Sequence, residues 1–256
     1  MDALLVERGL ADSRSKAQGL ILSGSVRVGD KIVTKAGSRI SPDEPLFVER
    51  KNRFVSRAGE KLYAALEEFG VRVAGRACID AGASTGGFTD VLLRRGAREV
   101  LAVDVGYGQL AWSLRNDPRV VVMERTNVRH LIGDDLPLEP DLLVADLSFI
   151  SLGVALESIF STTPSLSEAV MLVKPQFEAG PEDVGRGGLV RDPAVQEAVI
   201  RRVAELFGAL GFGAVGVARA PLAGRRAGNR EYPLHLLRGA ERVLDAALIE
   251  EVVRGG

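Results

Sequence analysis

The run Cys78-Ile79-Asp80-Ala81-Gly82-Ala83-Ser84-Thr85-Gly86-Gly87-Phe88-Thr89 constrains the fold of this chain more than any other segment. An apolar stretch ends in an acid, a loop of small residues follows, and a helical pattern starts at Phe88. That is the strand, loop and helix opening of an α/β unit, with backbone free to approach a ligand beside a helix N-terminus. The alternation continues along the chain. Helical spacing covers 61–69, 88–95 and 193–210, and strand patterns cover 77–80, 100–104, 120–124, 142–146, 169–173, 213–220 and 231–237. The order predicts an α/β class, with a doubly wound, Rossmann-like sheet that closes in an antiparallel hairpin.

The first 50 residues follow another pattern. Two short helices over 2–9 and 13–23, broken at Gly9, give way to strands over 25–28, 31–33 and 46–48, with Gly29-Asp30 as the first turn. The expected division is a small α+β module over 1–50, a basic connector over 51–57 and an α/β domain over 58–256. Residues 1–60 carry 11 Lys/Arg against 8 Asp/Glu in a chain of net charge −1. Arg14 and Lys16 on the second helix, with Arg27 and Lys31 on the hairpin, can form one basic face for RNA phosphates, and Arg8 and Arg57 are further candidates for RNA contact. The order of helix, SRSKAQGLILSG and VRVGDKIV resembles the S4-type RNA-binding domain.

Several classes are disfavoured. The start, MDALLVERGLADSR, lacks the basic and apolar regions of a secretory signal. The longest nearly apolar stretch, 142–156, is interrupted by Asp146 and is too short for a bilayer, which needs about 20 residues. Cys78 is the lone cysteine, so no internal disulfide exists, and with His130 and His235 far apart no zinc spacing appears. A cytoplasmic protein without a metal site is expected.

Asp104 follows Asp80 by 24 residues, ending the second strand where an acid can accept hydrogen bonds from ribose hydroxyls. That topology serves nicotinamide dinucleotides and S-adenosylmethionine (SAM) alike. The GxGxxG fingerprint that admits a pyrophosphate is absent. DAGASTGGF instead resembles the first motif of class I methyltransferases. In that resemblance the loop around Asp80, Gly82, Ala83, Ser84, Thr85, Gly86, Gly87 and Phe88 cradles the methionine part of SAM, and Asp104 holds the ribose. Asn127 or Val128 lies near the adenine; Asn127 can equally cap the next helix.

Lys61, Asp146, Lys174 and Glu231 sit where this fold exposes strand ends or the cleft rim. Their order, Lys, Asp, Lys, Glu, resembles the tetrad of FtsJ/RrmJ-like RNA ribose 2′-O-methyltransferases. A ribose hydroxyl is a poor nucleophile whose proton must leave, so a base and positioning groups are needed. The expected roles are Lys174 as general base or hydroxyl orienter, Lys61 close enough to depress its pKa, Glu231 completing the site, and Asp146 between cofactor and substrate, with the two carboxylates opposing that shift and holding the amines in place.

Together SRAGEKL, DLSFISL, VKPQFEAG and GNREY resemble the TlyA (hemolysin A-like) family, in which an S4 domain precedes an FtsJ-like methyltransferase. The resemblance spans almost the whole chain and implies methylation of cytidine 2′-hydroxyls in 16S or 23S rRNA, or both, with ribosomal RNA or subunits as partner. An inactive RNA-binding or ribosome-assembly factor is the alternative, and a membrane-active hemolysin is disfavoured by composition. Two loops are candidates to meet RNA. Residues 177–192 form either a substrate-gating loop or a surface excursion, and 223–230 carry Arg225, Arg226 and Arg230 just before Glu231. Phe54, Tyr107 and Trp112 are expected to pack rather than stack on bases.

Overall fold

The computed structural model describes residues 1–11, 13–38, 40–41, 43–48, 53–221, 228–241 and 244–255. The chain divides into two compact units, Met1–Arg53 and Phe54–Gly256.

In the first unit α1 (Asp2–Glu7) and α2 (Arg14–Leu22) are followed by β1 (Val26–Val28), β2 (Lys31–Val33) and β3 (Leu46–Val48). Ser13 caps α2, its hydroxyl accepting from Lys16 N at 3.2 Å. The strands form an antiparallel sheet in the order β2-β1-β3. Leu5, Ala11, Ala17, Ile21, Val26 and Leu46 form its small core.

The second unit opens with α3 (Ala58–Glu68), β4 (Ala77–Ala81), α4 (Gly87–Arg94), β5 (Glu99–Val103), α5 (Trp112–Arg115) and β6 (Val120–Met123). It continues with β7 (Leu142–Ala145), α6 (Leu152–Thr162), β8 (Glu168–Val173), α7 (Pro175–Glu178), α8 (Pro193–Ala209), β9 (Phe212–Val217), β10 (Tyr232–Arg238) and α9 (Ala246–Arg254). Seven strands make one sheet in the order β6-β5-β4-β7-β8-β10-β9; β10 runs antiparallel to both its neighbours, and the other pairs are parallel. The expected closing hairpin is therefore present.

The central strands read as continuous apolar runs because both faces are covered. Alternate residues go to opposite cores. Ile79, Leu101, Leu143 and Met171 pack with α6, α8 and α9, while Cys78, Val100, Leu142 and Val170 pack with α3, α4 and α5. Each fully buried aliphatic side chain contributes roughly 1.5–3 kcal/mol. The chain leaves β4 toward β5 on one side and reaches β7 on the other, so the sheet has its topological switch at β4 and β7, where a crevice opens at the strands' carboxyl ends. Helix α6 was not foreseen: LGVALESIFST buries six of its eleven residues and shows little polar face to betray a period. Nor was α9.

Candidate active site

The loop after β4 is held in place by Asp104, the residue after β5. Its Oδ2 accepts Ser84 N at 2.7 Å and its Oδ1 accepts Gly106 N at 2.7 Å. A carboxylate oxygen can accept more than one bond, so both retain capacity toward the cleft. Gly82 lies at φ 87°, and a Cβ placed there would stand 2.9 Å from Asp146 O. Only glycine lets the loop run this close to the end of β7. Ser84 is itself left-handed at φ 49° and its hydroxyl donates to Gln109 Oε1 at 3.3 Å.

Beside this loop lies a cleft of about 370 Å³. Gly82, Ser84, Asp104 and Gln109 line its polar side; Val103, Val128, Leu147 and Ile150 line its apolar side, with Thr126 and Asn127 at the end of β6. Asn127 borders the cleft and also caps the following turn, its Oδ1 accepting Arg129 N at 3.1 Å. A fixed carboxylate beside an apolar slot fits a ribose carrying an adenine, and the close approach at Gly82 fits a chain passing over the loop.

A second cleft of about 200 Å³ adjoins the first, sharing Gly82, Ser84, Asp146 and Ser148 with it. It is lined further by Ser56, Lys61, Ala83, Thr85, Gly87, Phe88 and Lys174. Three of the four charged residues expected at the site thus face one space, and Glu231 joins them through Lys61. Lys61 Nζ lies 2.5 Å from Glu231 Oε2, and Lys174 Nζ lies 2.5 Å from Asp146 Oδ1. Lys174 also donates to Ser148 Oγ at 3.0 Å. The contact to Asp146 Oδ1 is off-line for a hydrogen bond, which leaves that oxygen with charge attraction alone.

The register explains the assembly. Tyr232 pairs with Val173, so the residues just outside the pair, Glu231 and Lys174, emerge side by side at the carboxyl edge. Asp146 follows Ala145, which pairs with Ala81 and Met171, between the cofactor loop and Lys174. Each lysine is matched with a carboxylate rather than with the other lysine.

Other expectations need correction. Asp80 does not face either cleft: it is fully buried, and Thr89 of α4 donates to its Oδ2 at 2.6 Å. Burial raises its pKa to about 7, and Oδ1 has no hydrogen-bond partner. Its place is under the loop. Gly86 is likewise turned away, against Leu110 and Leu114. Arg230 is not presented to RNA, because its Nη1 donates to Val253 O of α9 at 2.7 Å. Arg225 and Arg226 lie outside the described residues. Arg57, at the start of α3, is exposed.

In the first unit, Arg14 and Lys16 are exposed on α2, and Arg8 donates to Glu44 O at 2.9 Å. The single basic face breaks down at the hairpin. Arg27 pairs with Ile32 and Phe47, whereas Lys31 pairs with Val28, and strand alternation sends successive side chains to opposite faces. Arg27 therefore shares its face with exposed Ile32 and Phe47, and its Nη2 donates to Asp30 O at 3.3 Å.

Four site residues went unread in the sequence: Ser56, Gln109, Ser148 and Phe149. The signal for the last two was DLSFIS itself, whose residues after Asp146 turn over the cleft. Phe149 is 92% exposed at φ 66° and its ring meets Phe177 at 5.1 Å. Such a backbone costs a bulky residue roughly 1–3 kcal/mol. Tyr107 and Trp112, expected to pack, are 68% and 79% exposed, while Phe54 is buried beneath α3 and α4 as expected.

Comparison with known proteins agrees with this architecture. Residues 54–238 match the FtsJ-like methyltransferase family and residues 2–46 match the S4 domain. The chain is 49% identical over 255 residues to the 16S/23S rRNA (cytidine-2′-O)-methyltransferase TlyA of Mycobacterium tuberculosis, covering 99% of this chain and 95% of that one. It is 40% identical over 241 residues to Hemolysin A of Brachyspira hyodysenteriae, with 93% and 99% covered. A solved structure from Streptococcus thermophilus, described as a hemolysin, superposes with a TM-score of 0.77 at 38% identity, covering 99% of this chain and 94% of that one. With an S4 domain ahead of a SAM-binding α/β unit and this similarity along its full length, the chain belongs to the TlyA family of FtsJ-like, SAM-dependent methyltransferases.

Proposed function

We propose that the chain transfers the methyl group of SAM to the 2′-hydroxyl of cytidine in ribosomal RNA, of the small subunit, the large subunit or both, and that it does so in the cytoplasm on ribosomal subunits. The observation that carries this reading is the pair of ion pairs, Lys61–Glu231 and Lys174–Asp146, whose lysines both line the second cleft. Base methylation needs no such set; a hydroxyl that must be oriented and lose a proton does.

Asp104 and the loop 82–85 hold the nucleoside and methionine ends of SAM, with Val128 and Asn127 beside the adenine. When bound, SAM supplies a sulfonium methyl for in-line attack. Lys174, held by the charge of Asp146 and by its bond to Ser148, keeps N–H groups to address the ribose oxygen, which favours an orienting role for it. Asp146, whose Oδ1 is in ion contact with Lys174 at 2.5 Å but makes no hydrogen bond, is the candidate acceptor for the departing proton. Lys61 and Glu231 close the far side. Arg8, Arg14, Lys16 and Arg57 contact RNA phosphates.

Ribosomal subunits lacking the modification, incubated with tritiated SAM, test the reading. Wild-type protein is expected to label rRNA at a cytidine ribose, and Lys174→Ala to lose at least about 100-fold in rate, the scale of a proton-handling group, with SAM affinity intact. Full transfer by Lys174→Ala overturns the assignment. SAM binding without transfer by the wild type would instead favour an inactive assembly factor.

A further inference from the structure

Asn229 stands two residues before Glu231 and is 5% exposed. Its Oδ1 accepts Val190 N at 3.1 Å and its Nδ2 donates to Gly188 O at 2.7 Å. One side chain thus satisfies both polar groups of a turn that is closed by the bridge between Gly185 and Leu189. Gln196 of α8 holds the other side of the same turn: its Nε2 donates to Val190 O at 2.7 Å, and its Oε1 accepts from Tyr232 OH at 2.5 Å. The turn is therefore tied through three side-chain bonds to the beginning of β10, the strand led by Glu231. A buried amide contributes little to packing that an apolar residue could not, and is destabilising wherever a bond is left unmade. Its value lies in what it holds still.

The turn carries Arg186 and Arg191. Both are exposed, and neither makes a hydrogen bond or ion pair with a described residue. Chain reach limits their distance from the site. At no more than about 3.6 Å per residue, the bonded path through Val190 and Asn229 puts the Arg191 backbone within roughly 20 Å of Glu231, and the path through Gly188 puts Arg186 within roughly 25 Å. That is the span of a few nucleotides on either side of a ribose in the cleft. The turn follows Lys174 where the chain leaves β8, and it is bonded to Asn229 just upstream of Glu231 where the chain enters β10, which brings the arginines to the same edge of the sheet as the reacting groups.

We propose that Asn229 is a positioning residue for the RNA. It locks the 185–191 turn to the Glu231 strand, so that Arg186 and Arg191 meet phosphates flanking the target ribose. This rests on the RNA methyltransferase reading above. It differs from both readings the sequence left open, a gating loop and a surface excursion, because a turn bolted at its base guides a strand and does not open and close over it.

The test compares Arg186→Ala/Arg191→Ala, Asn229→Ala and the triple variant, each with SAM and undermethylated ribosomal subunits across a salt series. The arginine pair is expected to raise KM for subunits about tenfold, with a smaller change in kcat. It should also flatten the plot of log affinity against log salt by nearly one unit per lost phosphate contact. Asn229→Ala is expected to reproduce both effects, and adding the arginine substitutions to it should change nothing further. SAM affinity stays at the wild-type value throughout. A wild-type salt slope in the arginine pair overturns the proposal, as does a drop in kcat alone for Asn229→Ala, or strict additivity in the triple variant. If Asn229→Ala does not fold, Asn229→Asp keeps the acceptor for Val190 N and loses the donor to Gly188 O, and carries the same comparison. Failure of wild-type protein to methylate subunits would defeat the functional reading instead, leaving the two outcomes distinct.

Discussion

Gly82→Ala isolates the contact between the cofactor loop and the strand that bears Asp146. At φ 87° the substitution places an L side chain in a left-handed conformation, which costs roughly 1–2 kcal/mol. The new Cβ would also stand 2.9 Å from Asp146 O and 3.0 Å from Leu147 Cδ2. The leucine can rotate away, but the Asp146 carbonyl is backbone and can yield only by moving the residue after β7, at about 1–2 kcal/mol more. The cheaper relief is for the loop to lift off, and then the cost of about 2–4 kcal/mol falls on SAM binding. At 1.4 kcal/mol per decade, affinity weakens roughly 30- to 700-fold. Calorimetric titration with SAM measures this directly. Gly70→Ala is the control: φ is +66° but the space beside it is open, so it loses about 1 kcal/mol of stability and no SAM affinity. A Gly82→Ala protein that folds and binds SAM within threefold of wild type would refute the reasoning.

Two further outcomes are expected. In Asp104→Asn one amide N–H is set against Ser84 N or Gly106 N, leaving a donor unpaired; a loss of about 1–3 kcal/mol should weaken SAM binding roughly 5- to 100-fold, and unchanged calorimetric affinity would contradict the role given to Asp104. Asp80 titrates at about 7 when folded but near its ordinary value of 3.8 when unfolded, so the folded state binds the extra proton between those limits and stability falls as pH rises through them. Urea unfolding at pH 5 and pH 8 should show a loss on the order of 2–3 kcal/mol at most, and Asp80→Asn should flatten it; identical pH slopes in both proteins would count against the buried, proton-retaining carboxyl.

How much of this was legible depended on where information sits in the chain. The parallel strands could be read because burial on both faces makes them unbroken apolar runs, and the closing hairpin because its runs follow the long α8 helix. Helix α6 could not, since a helix buried around most of its circumference has the same composition as a strand. Asp80 looked like a ligand because its motif ends a strand in an acid. Whether that acid turns up into the cleft or down onto Thr89 depends on the start of α4, which periodicity does not reveal.

The charged residues illustrate the same limit and its remedy. Lys61 and Glu231 are 170 residues apart, and nothing local to either names the other; sequence could place all four at one edge, with carboxylates to hold the amines, but not say which carboxylate meets which lysine. The pairing follows from one register. With Tyr232 against Val173, Glu231 and Lys174 leave the sheet as neighbours, and with Ala145 beside Met171, Asp146 comes up on the other side of Lys174. Lys174 therefore has a carboxylate within reach from β7 and another from β10, takes the first, and leaves Glu231 to Lys61. The antiparallel insertion of β10 between β8 and β9 is what makes this possible, since a parallel strand in that position would begin at the opposite edge and carry Glu231, Asn229 and the turn it holds away from the chemistry.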